Sequence, residues 1–176
     1  MSFEFALLDT NILAALLDDS KKSERFAEVF NYLRQQNSHL YIIHRITDFE
    51  FVGYSTNKKM YDQLNTWVSQ FDGLPPLTQD FDTAKLLSAL YKCKNPSISP
   101  KQISFVDLLY AAHLVRVKNR ACIVTTDLND YPNFLFDMPK HFAIEDGGGA
   151  TSFVGIKTFN QKKYDELTTS FDKSGN

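Results

Sequence analysis

Four acidic side chains, Asp9, Glu50, Asp107 and Asp127, occupy positions in this sequence where they could act together chemically. Asp9 and Asp127 each follow a short apolar run that is typical of a buried strand. Glu50 has a phenylalanine on either side, and Asp107 is nearly the only charge in a strongly apolar stretch. Because the carboxyl ends of parallel strands meet at one edge of a sheet, the sequence predicts that these acids converge there.

Clustered carboxylates repel one another, and each raises the pKa of its neighbours unless a positive charge is present. Oxygen ligands without cysteine or histidine favour Mg²⁺ or Mn²⁺ over zinc. Divalent cations held in this way activate water and stabilise the leaving oxygen when a phosphodiester is hydrolysed. The four acids therefore predict a metal-dependent hydrolase whose substrate contains phosphate.

Taken one at a time, each acid also has an ordinary structural interpretation. Asp9 suits a helix cap or a turn, and Asp127 suits a turn at the end of a strand. Asp107 suits the first turn of a helix, where the helix dipole stabilises a negative charge, and Glu50 suits a solvent-facing position. The functional hypothesis therefore depends on the four positions together.

The elements that must position the acids alternate between strand and helix, which predicts an α/β fold with a mostly parallel central sheet and helices on both faces. Thr10 or Asn11, Thr47 or Asp48, and Asp80 are the expected helix caps. The segments 73–76 and 94–100 are predicted loops, the second of them functional. Short strands are predicted at 5–8, 40–44 and 121–126, with helices at 12–17, 23–36, 46–54, 61–71, 80–90, 104–115 and 161–171.

Length and composition limit the class of protein. A chain of 176 residues is expected to form one domain, and 19 basic against 21 acidic residues give a net charge of −2, which excludes a polycationic nucleic-acid scaffold. Cys93 and Cys122 support neither a disulfide framework nor a zinc site. No apolar run reaches the roughly 18 to 20 residues of a membrane span, so a cytoplasmic location is expected.

Four segments together resemble the PIN-domain family of ribonucleases, including the VapC-type toxins of toxin–antitoxin pairs. The resemblance covers roughly residues 5 to 145 and implies a three-layer α/β/α fold. We accordingly expect a PIN-like nuclease domain over 1–146, with a C-terminal extension, 147–176, packed on the same domain. The matching segments are LLDTN at 7–11, ITDFEF at 46–51, SFVDLLYAAH at 104–113 and IVTTDLNDY at 123–131.

The resemblance also implies roles for individual residues. Asp9, Glu50 and Asp107 match the family's first three metal-site acids, and the fourth is either Asp127 or Asp130. The implied cofactor is Mg²⁺ or Mn²⁺, and the implied activity is endoribonucleolytic cleavage. The residues expected to line the same pocket are Thr10, Asn11 and Thr126.

The expected substrate is single-stranded or looped RNA, whose backbone reaches a recessed acidic site more easily than a stiff duplex does. Because the chain is mildly acidic, RNA must bind through local positive groups. Taken one at a time, each of these groups is better explained as an ordinary solvated surface charge. The candidates flank the acid-bearing segments or lie in the polar loop, and they are Arg45, Lys58, Lys59, Lys92, Lys94 and Lys101.

The resemblance to VapC-type toxins further implies an antitoxin protein and a homodimer as partners. Tyr32 and Trp67 extend the aromatic surface of the helices predicted at 23–36 and 61–71, which suits an interface. A groove between these helices could accept an amphipathic helix from the antitoxin. The alternative is that both aromatic residues are buried beneath the tail helix around Tyr164 and Phe171.

Other functional classes fit the sequence less well. A haloacid-dehalogenase-like phosphatase needs an aspartate two residues after the first, where this chain has Asn11. A nucleotide-binding P-loop or Rossmann fold needs a glycine-rich turn between strand and helix, and a serine hydrolase needs a nucleophile elbow. His113 lies in the middle of a predicted helix, as a packed or surface histidine would. The remaining alternative is a non-catalytic PIN-like binding or assembly module.

Overall fold

The computed structural model describes residues 2–17, 26–38, 40–97, 103–145 and 151–173. Its strands are β1 (Phe5–Leu8), β2 (Leu40–His44), β3 (Asp72–Leu74), β4 (Ala121–Thr125), β5 (Phe136–Glu145) and β6 (Thr151–Phe159). Its helices are α1 (Thr10–Leu17), α2 (Ala27–Gln35), α3 (Arg45–Gly53), α4 (Lys58–Val68), α5 (Thr78–Lys94), α6 (Phe105–Val117) and α7 (Gln161–Lys173).

The six strands form one mostly parallel sheet, as the sequence predicts. Their order is β3-β2-β1-β4-β6-β5, and the first four are parallel. β6 runs antiparallel between β4 and β5, so residues of the C-terminal extension complete the sheet. Leu7 of β1 pairs with Ile42 on one side and Ile123 on the other, which places the ends of the three central strands side by side.

Helices cover both faces of the sheet, and a separate hydrophobic cluster fills each interface. Side chains alternate between the faces along a strand, so Phe5 and Leu7 contribute to the cluster beneath α5 and α6, whereas Ala6 and Leu8 contribute to the cluster beneath α1 and α2. All four residues of β1 are buried. This burial on both faces explains why the central strands appear in the sequence as continuous apolar runs.

Several residues that were expected to cap helices lie within the helices instead. Thr10 is the first residue of α1, directly after Asp9. Thr47 and Asp48 lie inside α3, whose cap is His44: its Nδ1 accepts a hydrogen bond from the Ile46 amide at 3.3 Å. The helix therefore begins earlier than its polar residues suggest, because the side chain at the end of β2 already supplies the acceptor.

Asp80 lies within the first turn of α5 instead of preceding it, and its Oδ2 accepts from the Leu77 amide at 2.8 Å. Strand β3 replaces the first part of the predicted loop at 73–76, because the segment pairs with β2 in parallel. The strand has only three residues, and one of them is Gly73. Its composition therefore resembles that of a turn and does not predict a strand.

Some expectations fall on parts of the chain outside the described residues: Ser23–Arg25 of the predicted second helix, residues 98–100 of the functional loop, and Lys101. The glycines at 147–149 also lie there. Among the described helices, none is both long and apolar enough to cross a membrane.

Candidate metal centre at the carboxyl edge of the sheet

Asp9 follows β1 directly, and its side chain is almost completely buried. The Thr10 amide donates to its Oδ1 at 2.7 Å, while Asn11 Nδ2 and Thr125 Oγ1 donate to its Oδ2 at 2.9 and 2.6 Å. Burial and, to a smaller extent, the charge of Asp107 nevertheless raise the pKa of Asp9 to about 6, against the lowering effect of these hydrogen bonds. The carboxylate is therefore fixed in orientation but only partly stabilised in its ionised form.

Glu50 reaches the same edge of the sheet from α3, the helix that follows β2. The Thr10 hydroxyl donates to Glu50 Oε2 at 2.5 Å. Thr10 therefore connects the first two acids directly, since its amide contacts one carboxylate and its hydroxyl contacts the other.

Asp107 brings a third carboxylate from the first turn of α6. Its amide donates to Oγ of Ser104, the helix cap, at 3.1 Å. Burial raises the pKa of Asp107, and the charges of Glu50 and Asp127 raise it further. Asp107 thus lies near the acids of three other elements, as the sequence predicts.

Both positions considered for the fourth acid lie beside Asp107. Burial raises the pKa of Asp130 to about 7, and the charges of Asp107, Asp127 and Asp9 add to the rise. The Asp130 carboxyl hydrogen-bonds the Asp107 carboxylate, which lowers the pKa of Asp107 and raises that of Asp130. Below about pH 7 Asp130 therefore holds the proton that the two groups share, and Asp127 is exposed at the rim.

The donor set fits a hard divalent cation. Carboxylate oxygens from four separate segments converge at one edge, and burial together with their mutual repulsion raises the pKa of Asp9, Asp107 and Asp130. A bound cation would remove this repulsion, and oxygen ligands are those that Mg²⁺ and Mn²⁺ prefer. These residues could therefore hold such an ion, although the structure contains none.

The raised pKa of Asp130 predicts how the stability of the metal-free protein depends on pH. The folded protein holds this proton up to a pKa of about 7, whereas an ordinary aspartate loses it near 3.8. The folded state is therefore favoured at low pH, and this contribution is lost as the pH rises through 7. Burial lowers the pKa values of His44 and His113 to about 4. The contribution of these histidines to stability therefore increases with pH, but only up to about pH 6.5.

We expect the thermal unfolding temperature in EDTA to fall between pH 6.5 and 8.5, and to fall less in Asp130→Asn. Comparing the two proteins at each pH separates the contribution of Asp130 and the acids coupled to it from that of the other titrating groups. Adding Mn²⁺ should recover more stability at pH 8.5 than at 6.5 in the wild type. Parallel pH profiles for the two proteins would show that Asp130 does not hold a proton in the folded state.

Two of the basic residues proposed for RNA binding form ion pairs within their own helices. Arg45 pairs with Asp48 at 2.8 Å, and Lys58 pairs with Asp62 at 2.6 Å, each within one helix. Exposed pairs of this kind are weak, so their cations could exchange to a phosphate. Lys59, Lys92 and Lys94 are exposed, the last two near the end of α5.

A second cluster of metal-ligating residue types, His44, Asp80 and His113, lies buried beside the acids, with ligand atoms within 4.8 Å of one another. Arg116 engages both oxygens of Asp80, at 2.8 and 3.2 Å, and its Nη2 lies 2.8 Å from His113 Nδ1. A guanidinium only donates, so His113 Nδ1 accepts and the proton is on Nε2. His44 Nδ1 likewise accepts from the Ile46 amide. We therefore interpret this cluster as a polar core network around an ion pair.

Two residues that organise the site were missing from the sequence prediction. Thr125 Oγ1 donates to Asp9 and accepts from Asn11 Nδ2 and the Asp127 amide, so it links the first and fourth acid positions. The Thr-Thr pair at the end of the strand is a signal for it, but sequence alone does not show which hydroxyl faces Asp9. The other residue is Tyr110, which is buried beneath the acids.

The pocket-lining residues expected from the sequence lie at this edge as well. The Thr126 amide donates to Asn11 Oδ1 at 3.1 Å, and Asn11 Nδ2 donates to Asp9 and Thr125. Asn11 thus uses both ends of its amide to join the ends of β1 and β4. An aspartate at this position could not donate these bonds.

Comparison with known proteins supports the fold. The chain aligns with a chain in the crystal structure of DNA-bound VapBC from Salmonella typhimurium, with a TM-score of 0.50 and 20% sequence identity. The alignment covers 74% of this chain and 91% of that one. No protein-family model and no curated protein sequence matches the chain. The predicted PIN-like fold is confirmed by this likeness, which is one of architecture.

Proposed function

We propose that the protein is an endoribonuclease that requires Mg²⁺ or Mn²⁺ and hydrolyses phosphodiester bonds of single-stranded or structured RNA. The observation that carries the proposal is the convergence of Asp9, Glu50, Asp107, Asp127 and Asp130 at the carboxyl edge of a parallel sheet. A repulsive cluster of this kind lowers stability unless a cation binds it. The likeness in fold to a VapBC structure agrees with this proposal.

In this proposal the cation supplies activation of water and stabilisation of the leaving oxygen. The residues of the site determine where the cation's carboxylate ligands lie. Asp9 is held by three donors and Glu50 by one, so both present their oxygens in a fixed orientation. Asp107 and Asp130 share a proton, which must leave when the cluster takes up a divalent ion. Cleavage should therefore increase from pH 6 to pH 8.

The direct test is incubation of the protein with end-labelled unpaired RNA, hairpin RNA and duplex DNA, in Mn²⁺ and in EDTA. The proposal predicts internal cleavage of the RNAs that stops in EDTA. Cleavage of duplex DNA in preference to unpaired RNA would overturn the proposed substrate. No cleavage of any nucleic acid would favour the non-catalytic module instead.

Exposed aromatic side chains close in sequence to the acids support a substrate with unpaired bases. Phe49 precedes Glu50 and is 81% exposed, and Phe105 lies two residues before Asp107 and is 53% exposed. The ring of Phe81 packs 6.0 Å from that of Phe105, with 30° between the planes. Unpaired bases stack on such rings, whereas bases within a duplex cannot reach them.

Phe105→Ala should raise KM for unpaired RNA about tenfold and leave kcat nearly unchanged, since a lost stacking contact weakens binding of substrate and transition state alike. Steady-state cleavage of a short fluorescent RNA measures both constants. The matched control is Phe153→Ala, which removes an equally exposed ring from β6. Equal effects of the two substitutions would exclude a specific stacking role for Phe105.

We further propose a toxin–antitoxin setting, with a small protein partner and self-association. The similar structure contains VapBC bound to DNA. On this chain, open clefts of about 590 and 680 Å³ share the apolar residues Leu17, Met60 and Leu64 at the junction of α1 and α4, and the larger cleft also has polar residues, a combination that suits an amphipathic helix. Light scattering tests self-association. Growth after expression without a partner tests toxicity, and a harmless monomer would leave the nuclease proposal alone.

Tyr32 and Trp67, the aromatic residues that the sequence suggested for this interface, already make contacts within the chain. Tyr32 packs edge-on against Phe142 at 6.0 Å, and Trp67 contacts Phe51 at 5.5 Å and Phe71 at 5.1 Å. Neither ring packs beneath the tail helix, because Tyr164 and Phe171 belong to the cluster on the opposite face of the sheet.

A further inference from the structure

Tyr110 is a fully buried phenol on α6, and it lies directly beneath the candidate metal centre. Its hydroxyl donates to the backbone carbonyl of Leu8 at 2.9 Å. It also forms a hydrogen bond with the hydroxyl of Thr47. Since the phenol proton goes to the carbonyl, the threonine hydroxyl donates to the phenol oxygen.

Each group in this contact lies next to one of the acids. Leu8 immediately precedes Asp9, Thr47 lies one helical turn before Glu50, and Tyr110 itself lies one turn after Asp107. One phenol oxygen therefore joins the three elements, β1, α3 and α6, that carry the first three carboxylates. Burial raises the pKa of Tyr110, and the nearby charges of Asp9 and Glu50 add to the rise.

We propose that Tyr110 is a positioning residue that sets the spacing of Asp9, Glu50 and Asp107 and so preorganises them for a divalent cation. The inference rests on the proposed function, because only a metal site needs this spacing. Repulsion among the three carboxylates favours separation of their elements, and the bonds of the phenol oppose it. In a cation site, replacing a residue that orients the ligands typically lowers metal affinity about tenfold to a hundredfold.

Tyr110→Phe tests the proposal because it removes the hydroxyl and keeps the ring in the core. We expect the affinity for Mn²⁺, measured by calorimetry, to fall about tenfold to a hundredfold. The control is Val29→Ala, which removes buried volume from α2 beneath the opposite face of the sheet and contacts none of the acids. It lowers stability but should leave Mn²⁺ affinity unchanged, so a loss of affinity in Tyr110→Phe cannot come from reduced stability alone.

Hydrogen exchange in EDTA tests the same inference without metal or substrate. In Tyr110→Phe, amides at 9–13 and 46–50 should exchange several times faster than in Val29→Ala, because the contact between β1 and α3 is lost. Unchanged exchange at both segments would overturn the positioning role, as would wild-type Mn²⁺ affinity in Tyr110→Phe. If exchange changes but the wild-type protein binds no Mn²⁺, Tyr110 organises these elements without a cation site. That result would refute the preorganisation proposal and the proposed function together.

Discussion

Asp9→Asn is expected to reduce Mn²⁺-dependent cleavage of RNA by at least about a hundredfold while the protein stays folded. The substitution keeps the shape of the side chain and removes a charge that burial and Asp107 already disfavour. It does place an amide group opposite the donors Asn11 and Thr125, which costs a hydrogen bond. These two effects on the free energy of unfolding oppose each other, so the stability of the metal-free protein should change little.

Single-turnover cleavage and thermal unfolding in EDTA measure the two quantities separately. Asp107→Asn should lose activity to a similar degree. The control is Glu4→Gln, which neutralises an exposed acid just before β1 that pairs with Arg120 at 2.6 Å. It should cleave normally. Wild-type cleavage by both aspartate variants would show that the site has been assigned to the wrong residues.

The second large effect expected is on stability, at the ion pair between Arg116 and Asp80. Asp80 is 1% exposed, and Arg116 contacts both of its oxygens. Arg116→Met should lower the free energy of unfolding by about 3 to 5 kcal/mol, because it leaves a buried carboxylate without its counter-charge. The double variant Arg116→Met with Asp80→Leu should recover much of this loss. Urea denaturation measures both changes.

Lys85→Met is the matched control for Arg116→Met, since Lys85 forms an exposed pair with Asp82 at 3.1 Å. It should cost no more than about 1 kcal/mol. Zinc should stabilise His113→Ala as much as it stabilises the wild-type protein, because the Arg116 guanidinium lies against both Asp80 and His113 and would repel a cation there. Stabilisation by zinc that disappears in His113→Ala would contradict this interpretation and identify a metal site there.

The sequence was most informative where a residue's environment is set by its own segment. The central strands β1, β2 and β4 could be predicted because burial on both faces leaves uninterrupted apolar runs. The convergence of Asp9, Glu50 and Asp107 could also be predicted, because each follows from the position of an element relative to the edge of a parallel sheet.

Features that depend on contacts between distant segments could not be predicted in this way. β3 is a strand only because β2 offers it a hydrogen-bonding edge. Tyr110 appears in the sequence as one more apolar residue of a core helix. Its role depends on the hydrogen bonds of its hydroxyl with Leu8 and Thr47, which the sequence does not show. Both Asp127 and Asp130 lie near Asp107, and only the structure shows that Asp130 is the one hydrogen-bonded to it.

The central claim is that the acids at the carboxyl edge of the sheet hold a divalent cation, and calorimetric titration with Mn²⁺ at pH 7.5 tests it most directly. The account predicts saturable binding to the wild-type protein and to Glu4→Gln, and loss of that binding in Asp9→Asn and Asp107→Asn. Absence of binding to the wild-type protein, or equal binding to all four proteins, would contradict it.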